Sequence, residues 1–264
     1  MITINSIDMQ IWIASFLWPL TRILGLLAAA PLFGNVSIPA GIKIVLGVLL
    51  ALIIAPTVPA LPAMDPMSLQ GLLILAQQFV IGTAMGFIIR VVFAAMEMAG
   101  EVTGMTMGLG FATFFDPQSH GRTSAISQFL SLLTLMVYLS TNLHLVLLAS
   151  LADSFTTMPI DAAPMGGHVL LQIASWAGRI FSGGLQLALP IIAALLITNV
   201  ALGILTRAAP QLNVFGIGFP ITISVGFIMI GLALPYMATP LERVFRDGFE
   251  VIRTTTTVMP SSVP

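Results

Sequence analysis

The chain has 264 residues, 58% of them hydrophobic and 7% charged, with 9 Lys and Arg against 10 Asp and Glu and a mean hydropathy of +1.06. Soluble domains carry roughly 25% charged residues, so a soluble globular fold is excluded, and a net charge of −1 argues against a nucleic-acid partner. The absence of cysteine removes disulfides, thiolate catalysis, zinc–thiolate sites and iron–sulfur clusters.

No charged residue lies between Arg122 and Asp153 or between Arg207 and Glu242. Each gap exceeds the roughly 20 apolar residues that cross the hydrocarbon core as a helix. In lipid every amide must be satisfied, by helices or by a closed barrel, and these runs lack the two-residue alternation of a barrel strand. The expected fold class is all-α, a polytopic membrane protein of kinked or broken helical hairpins with about six apolar segments. They fall at residues 11–33, 42–55, 69–95, 124–152, 169–206 and 214–236. Nothing before Arg22 is basic and no small-residue cleavage site follows a short apolar region, so the first segment is expected to be retained. Breaker-rich stretches at 32–39, 56–66 and 158–167 join the segments as hairpins. Pro19, Pro190 and Pro220 fall inside segments, where each removes an amide donor, and kinks or breaks are expected there.

Beyond the third segment, residues 90–122 concentrate charge, glycine, methionine and phenylalanine, and function is expected here. Arg90, Glu97 and Glu101 lie seven and four apart, on one face if the helix continues through Gly100. A charge deep in a membrane costs on the order of 2.5–3.5 kcal/mol, so these groups should face protein or water and pair, as a register-fixing ion pair or as a functional site. Gly100, Gly104 and Gly108 repeat every four residues, with Gly82 and Gly86 upstream, a spacing that serves close helix packing or a hinge. Met96, Met98, Met105 and Met107 surround them as core filling or as an adaptable seal. From Gly108 to Gly121, GLGFATFFDPQSHG is broken by Gly108, Gly110, Pro117 and Gly121 and must be a loop. Phe111, Phe114 and Phe115 are too apolar to be left in water, so it should insert into a partner, a pore or its own bundle.

In the last part of the chain, Leu241, Val244, Phe245, Phe249 and Ile252 recur at helical spacing opposite Glu242, Arg246, Glu250 and Arg253. The expected organisation is a membrane domain over 1–240, an amphipathic helix over 241–253 at the membrane interface or against a partner, and a flexible tail over 254–264. Lys and Arg counted over the loops of a six-span arrangement do not fix an orientation, which points to a wrong span count or to partners that set the arrangement. Catalytic signatures are missing: there is no HExxH, GxSxG or P-loop lysine motif, His120, His144 and His168 are scattered, and Asp116 with His120 lacks a third group. No enzyme activity, metal site or cofactor is expected.

The run TRAAPQLNVFGIGFPITISVG at 206–226 closely resembles the signature of the FliR family, the export-gate membrane subunits of flagellar type III secretion. Matching pieces in order are Arg22 and Gly25 with APLFGNVSIP at 30–39, EMAGEVTGMTMGLG at 97–110 followed by FFDP at 114–117, and NLHL at 142–145. The resemblance implies a non-enzymatic subunit of the bacterial inner membrane and flagellar basal body, assembled with FliP and FliQ, contacted by FlhB and FlhA, and passing unfolded flagellar proteins. It also implies a FliP-like and FliQ-like fusion rising partly out of the membrane plane, which would account for the undecided charge count. In such a chain the central loop acts as a plug, carried here by Gly108, Gly110, Phe111, Phe114, Phe115, Asp116 and Pro117. Met105 and Met107 would adjoin a gasket supplied mainly by the partner, and Gly100, Gly104, Arg207, Pro210 and Asn213 would serve subunit packing. The related injectisome subunit is the nearest alternative, with GIGFPITI at 216–223 favouring the flagellar form. A secondary transporter with Arg90, Glu97 and Glu101 as an ion-coupled site is a different class of reading.

Overall fold

Hydrophobic runs interrupted by glycine, proline and asparagine leave the backbone one way to satisfy its amides in an apolar medium, the helix. The computed structural model of the chain describes residues 6–59, 65–111, 124–161, 167–211 and 214–257, and among them every regular element is helical. In order these are α1 (Ser6–Ala29), α2 (Ala40–Ile54), α3 (Leu69–Thr106), α4 (Ala125–Ser140), α5 (Leu143–Thr157), α6 (Gly167–Ala177), α7 (Arg179–Ala208) and α8 (Val214–Thr257), with single 3₁₀ turns at Ala55–Thr57 and Leu109–Phe111. Among the described residues four stretches are long and apolar enough to cross a membrane: Ala40–Thr57, Leu69–Thr106, Gly167–Ala208 and Gly216–Thr256; the broken pair α4 and α5 makes a fifth if taken as one span. The chain is a polytopic, all-α membrane protein.

Prolines do not end the helices. The chain stays helical through Pro19 in α1, Pro190 in α7 and Pro220, Pro235 and Pro240 in α8. The breaks fall elsewhere, at Gly178 between α6 and α7 and at Thr141 and Asn142 between α4 and α5. Asn142 takes the left-handed conformation with φ 57°, which its short polar side chain tolerates, and its carbonyl accepts from the amides of Leu145 and Val146 to start the next helix. The expected amphipathic helix over 241–253 is the C-terminal end of α8 rather than an element of its own, and residues 254–257 of the expected tail continue it. Of its apolar stripe, Leu241, Phe245 and Ile252 are buried inside the chain, and Val244 and Phe249 are half-buried. Residues 258–264 lie outside the described residues.

The chain divides into two compact units, the first formed by Met1–Val91, Asn142–Ala177 and Arg246–Pro264, the second by Val92–Thr141 and Gly178–Phe245. The most apolar window of α3 is 61% buried, against 17–22% in the other three long spans, which makes α3 the most buried of the four.

In the first unit α1 lies on α3 through small residues. A Cβ on Gly82 would strike the carbonyl of Arg22, one on Gly25 would come within 2.6 Å of the Phe79 carbonyl, and one on Gly86 within 2.8 Å of the Ala29 Cβ. The four-residue glycine spacing thus brings two backbones together. At this crossing Arg22 is completely buried: Nε donates to Gln78 Oε1 at 2.7 Å, Nη1 to Ser154 O at 2.8 Å and Oγ at 3.1 Å, and Nη2 to Met158 O at 2.8 Å. The Trp176 indole donates to the Ile88 carbonyl at 3.0 Å and ties α6 to α3.

In the second unit α3 packs on α4 and α7 through Gly100, Gly104, Gly183 and Gly184, and an aromatic cluster of Phe93, Tyr138 and Phe245 joins α3, α4 and α8, with ring centroids 5.4–5.8 Å apart.

Candidate functional site at the root of the central loop

The central loop leaves α3 at a defined point. The last turn of α3 closes through Met107 N to Thr103 O at 2.9 Å and Gly108 N to Met105 O at 3.0 Å, and Gly108 then takes φ 89°. A left-handed residue just past a helix end is the usual stop, and glycine adopts it without a Cβ penalty. Space requires glycine here as well, because a Cβ on Gly108 would sit 2.7 Å from the Phe219 ring.

The stop is clamped onto the first turns of α8. A helix C-terminus leaves carbonyls without intrahelical partners, and Thr222 Oγ1 donates to that of Met107 at 3.0 Å. The Met107 side chain is fully buried and fills the notch at Gly226, where a Cβ would meet its Cγ, Sδ and Cε at 2.5–2.6 Å. Chain direction, a backbone carbonyl and an apolar side chain are therefore all fixed where the loop begins. The 3₁₀ turn Leu109–Phe111 follows, and a Cβ on Gly110 would meet nothing within 4 Å. The side chain of Phe111 and the whole of Phe114, Phe115, Asp116 and Pro117 lie outside the described residues.

Met105 and Met107, paired in sequence as gasket neighbours, part company: Met105 is 63% exposed and Met107 0%. Residues two apart on a helix do not share a face. Met107 therefore belongs to the chain's own packing, and Met105 alone of the two offers its side chain outward.

The helix does continue through Gly100, so Arg90, Glu97 and Glu101 share one element. They do not pair with one another. Seven residues amount to about 10.5 Å of rise, too far for Arg90 to reach Glu97, and Glu97 and Glu101 are like charges one turn apart. Arg90 is exposed, and the carboxylates serve α4 instead. Glu97 Oε1 accepts from Ser131 Oγ at 3.1 Å, and Glu101 Oε2 accepts from the Ser124 amide at 3.3 Å at the N-terminus of α4, where negative charge suits the helix dipole. Ser127 Oγ donates to the Glu97 carbonyl at 2.6 Å, and a Cβ on Gly100 would strike the Ser127 backbone. Gly100 and Gly104 are thus taken up by α4 of the same chain rather than by a neighbouring subunit. Arg207, in the last turn of α7, and Pro210 are exposed, which leaves them open to a partner, while Asn213 lies outside the described residues.

Sequence reasoning passed over Ser124, Ser127 and Ser131, although their helical spacing marks one face of α4, and over Phe219, Thr222 and Gly226. Those three sit inside the run that carries the resemblance, with nothing local to reveal that they receive the end of α3.

Residues 13–248 match the family described as bacterial export proteins, family 1. The chain belongs to the FliR family of bacterial export proteins. It is 44% identical to the flagellar biosynthetic protein FliR of Pectobacterium carotovorum subsp. carotovorum over 262 residues, covering 99% of this chain and 100% of that one. It is 38% identical to FliR of Escherichia coli (strain K12) over 252 residues, 96% of each chain, and 31% identical to FliR of Bacillus subtilis (strain 168) over 242 residues, 90% of this chain and 93% of the other. FliR proteins form a flagellar biosynthesis and export family. The glycine-rich end of α3 and the start of α8 both lie within the matched region.

Proposed function

We propose that this FliR-family chain is a membrane subunit of the flagellar type III export gate, in the bacterial inner membrane at the flagellar basal body. With FliP and FliQ it forms the channel that passes unfolded flagellar proteins, FlhB and FlhA contact the assembly, and the loop that begins at Gly108 acts as its plug. The observation that carries the reading is the clamp at the loop root, where Met107 O, the Met107 side chain and the left-handed Gly108 are held by Thr222, Gly226 and Phe219. A plug needs a fixed base and an adaptable tip. The base is rigid by these contacts, and the tip carries Phe111, Phe114 and Phe115, apolar groups that close against each other, exclude water and rearrange around differing cargo side chains. Largely unburied spans at Ala40–Thr57, Gly167–Ala208 and Gly216–Thr256 are consistent with a chain that is clothed by neighbours.

The test is the mass and protein content of the detergent-extracted complex recovered on a tagged copy of this chain expressed with its neighbouring genes. A defined hetero-oligomer containing FliP and FliQ is expected; a lone monomer or homodimer contradicts the assembly.

A further inference from the structure

A fully buried arginine normally has a carboxylate beside it, because an isolated buried charge is far costlier than an unpaired polar group. The hydrogen-bond acceptors of Arg22 are all neutral: the Gln78 amide oxygen, the carbonyls of Ser154 and Met158 and the Ser154 hydroxyl. Two features stand in for the counter-charge. Ser154 O and Met158 O belong to the C-terminal end of α5, which finishes at Thr157 with Met158 as its cap, so they form the negative pole of a helix dipole. The guanidinium carbon also lies 4.3 Å from the centre of the Phe155 ring, within cation–π range.

We propose that the C-terminal end of α5, with Phe155 and Gln78, is a guanidinium-binding site that Arg22 fills from within the chain, and that Arg22 is the positioning residue that fixes α5 against α1 and α3. The shape of the cation is what the site reads. Nε, Nη1 and Nη2 each meet a different residue, with the guanidinium carbon over the ring, a pattern that suits a planar fork and not the compact ammonium of lysine. The acceptors are also in place. Ser154 Oγ spends its proton on Leu151 O at 2.6 Å and so presents lone pairs to Nη1, and Ser154 O already receives the Met158 amide at 2.9 Å, which closes the last turn of the helix. The backbone of Arg22 is held too, since its carbonyl fills the place of the missing Cβ of Gly82. The site rests on packing within the first unit and does not depend on the export reading.

The test is chemical rescue of full-length R22A and R22K variants, extracted from membranes in mild detergent, followed through the thermal unfolding midpoint with and without millimolar guanidinium chloride. Methylammonium and sodium chlorides at equal concentration are the controls. R22A is expected to lower the midpoint by about 6–12 °C. Guanidinium should restore a measurable part of that loss in R22A, methylammonium should not, and the wild type should not respond. R22K retains charge and most of the bulk, so it carries the test even if R22A fails to accumulate: it should lose at least half as much as R22A is expected to lose. An R22K variant with the wild-type midpoint, or an R22A variant that responds equally to guanidinium and methylammonium, overturns the proposal.

Discussion

The two units hold their helices together by different chemistry, and both ways follow from what an apolar medium permits. In the first, α1, α3 and α5 meet at one buried cation whose three nitrogens reach three separate residues, and the backbones touch at Gly82. In the second no charge is buried at the corresponding seams among the described residues. Serines of α4 lie on the glycine face of α3, and a methionine fills the gap between α3 and α8. The first arrangement specifies one geometry and tolerates little. The second is made of small residues, serine bonds to half-buried or exposed carboxylates and one packed methionine, and it holds the root of the central loop without a buried charge.

Substitutions at the glycine contacts break this comparison most sharply. Gly82→Ala places a methyl against backbone that cannot yield, and a loss of about 3 kcal/mol or more is expected, read as a lower unfolding midpoint and less chain retained in the membrane. Ser127→Ala removes one hydroxyl bond to the Glu97 carbonyl and should cost about 1 kcal/mol by the same readout. At Gly226 the obstacle is the Met107 side chain, which has rotamers to spare, and alanine gains roughly 0.5–1 kcal/mol over glycine in a helix. Gly226→Ala is therefore expected to change stability by no more than about 1 kcal/mol; an effect as large as that of Gly82→Ala would mean that the second unit is no more adaptable than the first. Met105→Ala, at an exposed position, should leave the unfolding midpoint of the chain alone within about 0.5 kcal/mol and reduce copurification of FliP.

Much of the helical architecture and part of the packing is legible in the sequence. Hydrophobic run lengths place the segments, and the glycine spacing at Gly82 and Gly86 and at Gly100 and Gly104 marks the faces where helices approach. The breaks are not legible in the same way, because proline advertises them and yet the helices run through it, while Asn142 ends a helix only by adopting a left-handed conformation that many asparagines never take. Arg22 carries part of the family resemblance, but its role is hidden: its principal partners are backbone carbonyls 132 and 136 residues away, and any residue type offers a carbonyl. That Glu97 and Glu101 turn to α4 is hidden in the same way, since their partners are a serine hydroxyl and a backbone amide on another helix, 34 and 23 residues away. The stripe from Leu241 to Ile252 signals only that something apolar will cover it; that the cover is the chain's own core is a tertiary fact.

Ion conductance of the assembled gate in planar bilayers, compared between the intact chain and one lacking residues 110–118, tests the central claim most directly. A plug on a clamped root predicts that the deletion raises the leak while FliP and FliQ still copurify. Unchanged conductance in an intact complex would contradict the account.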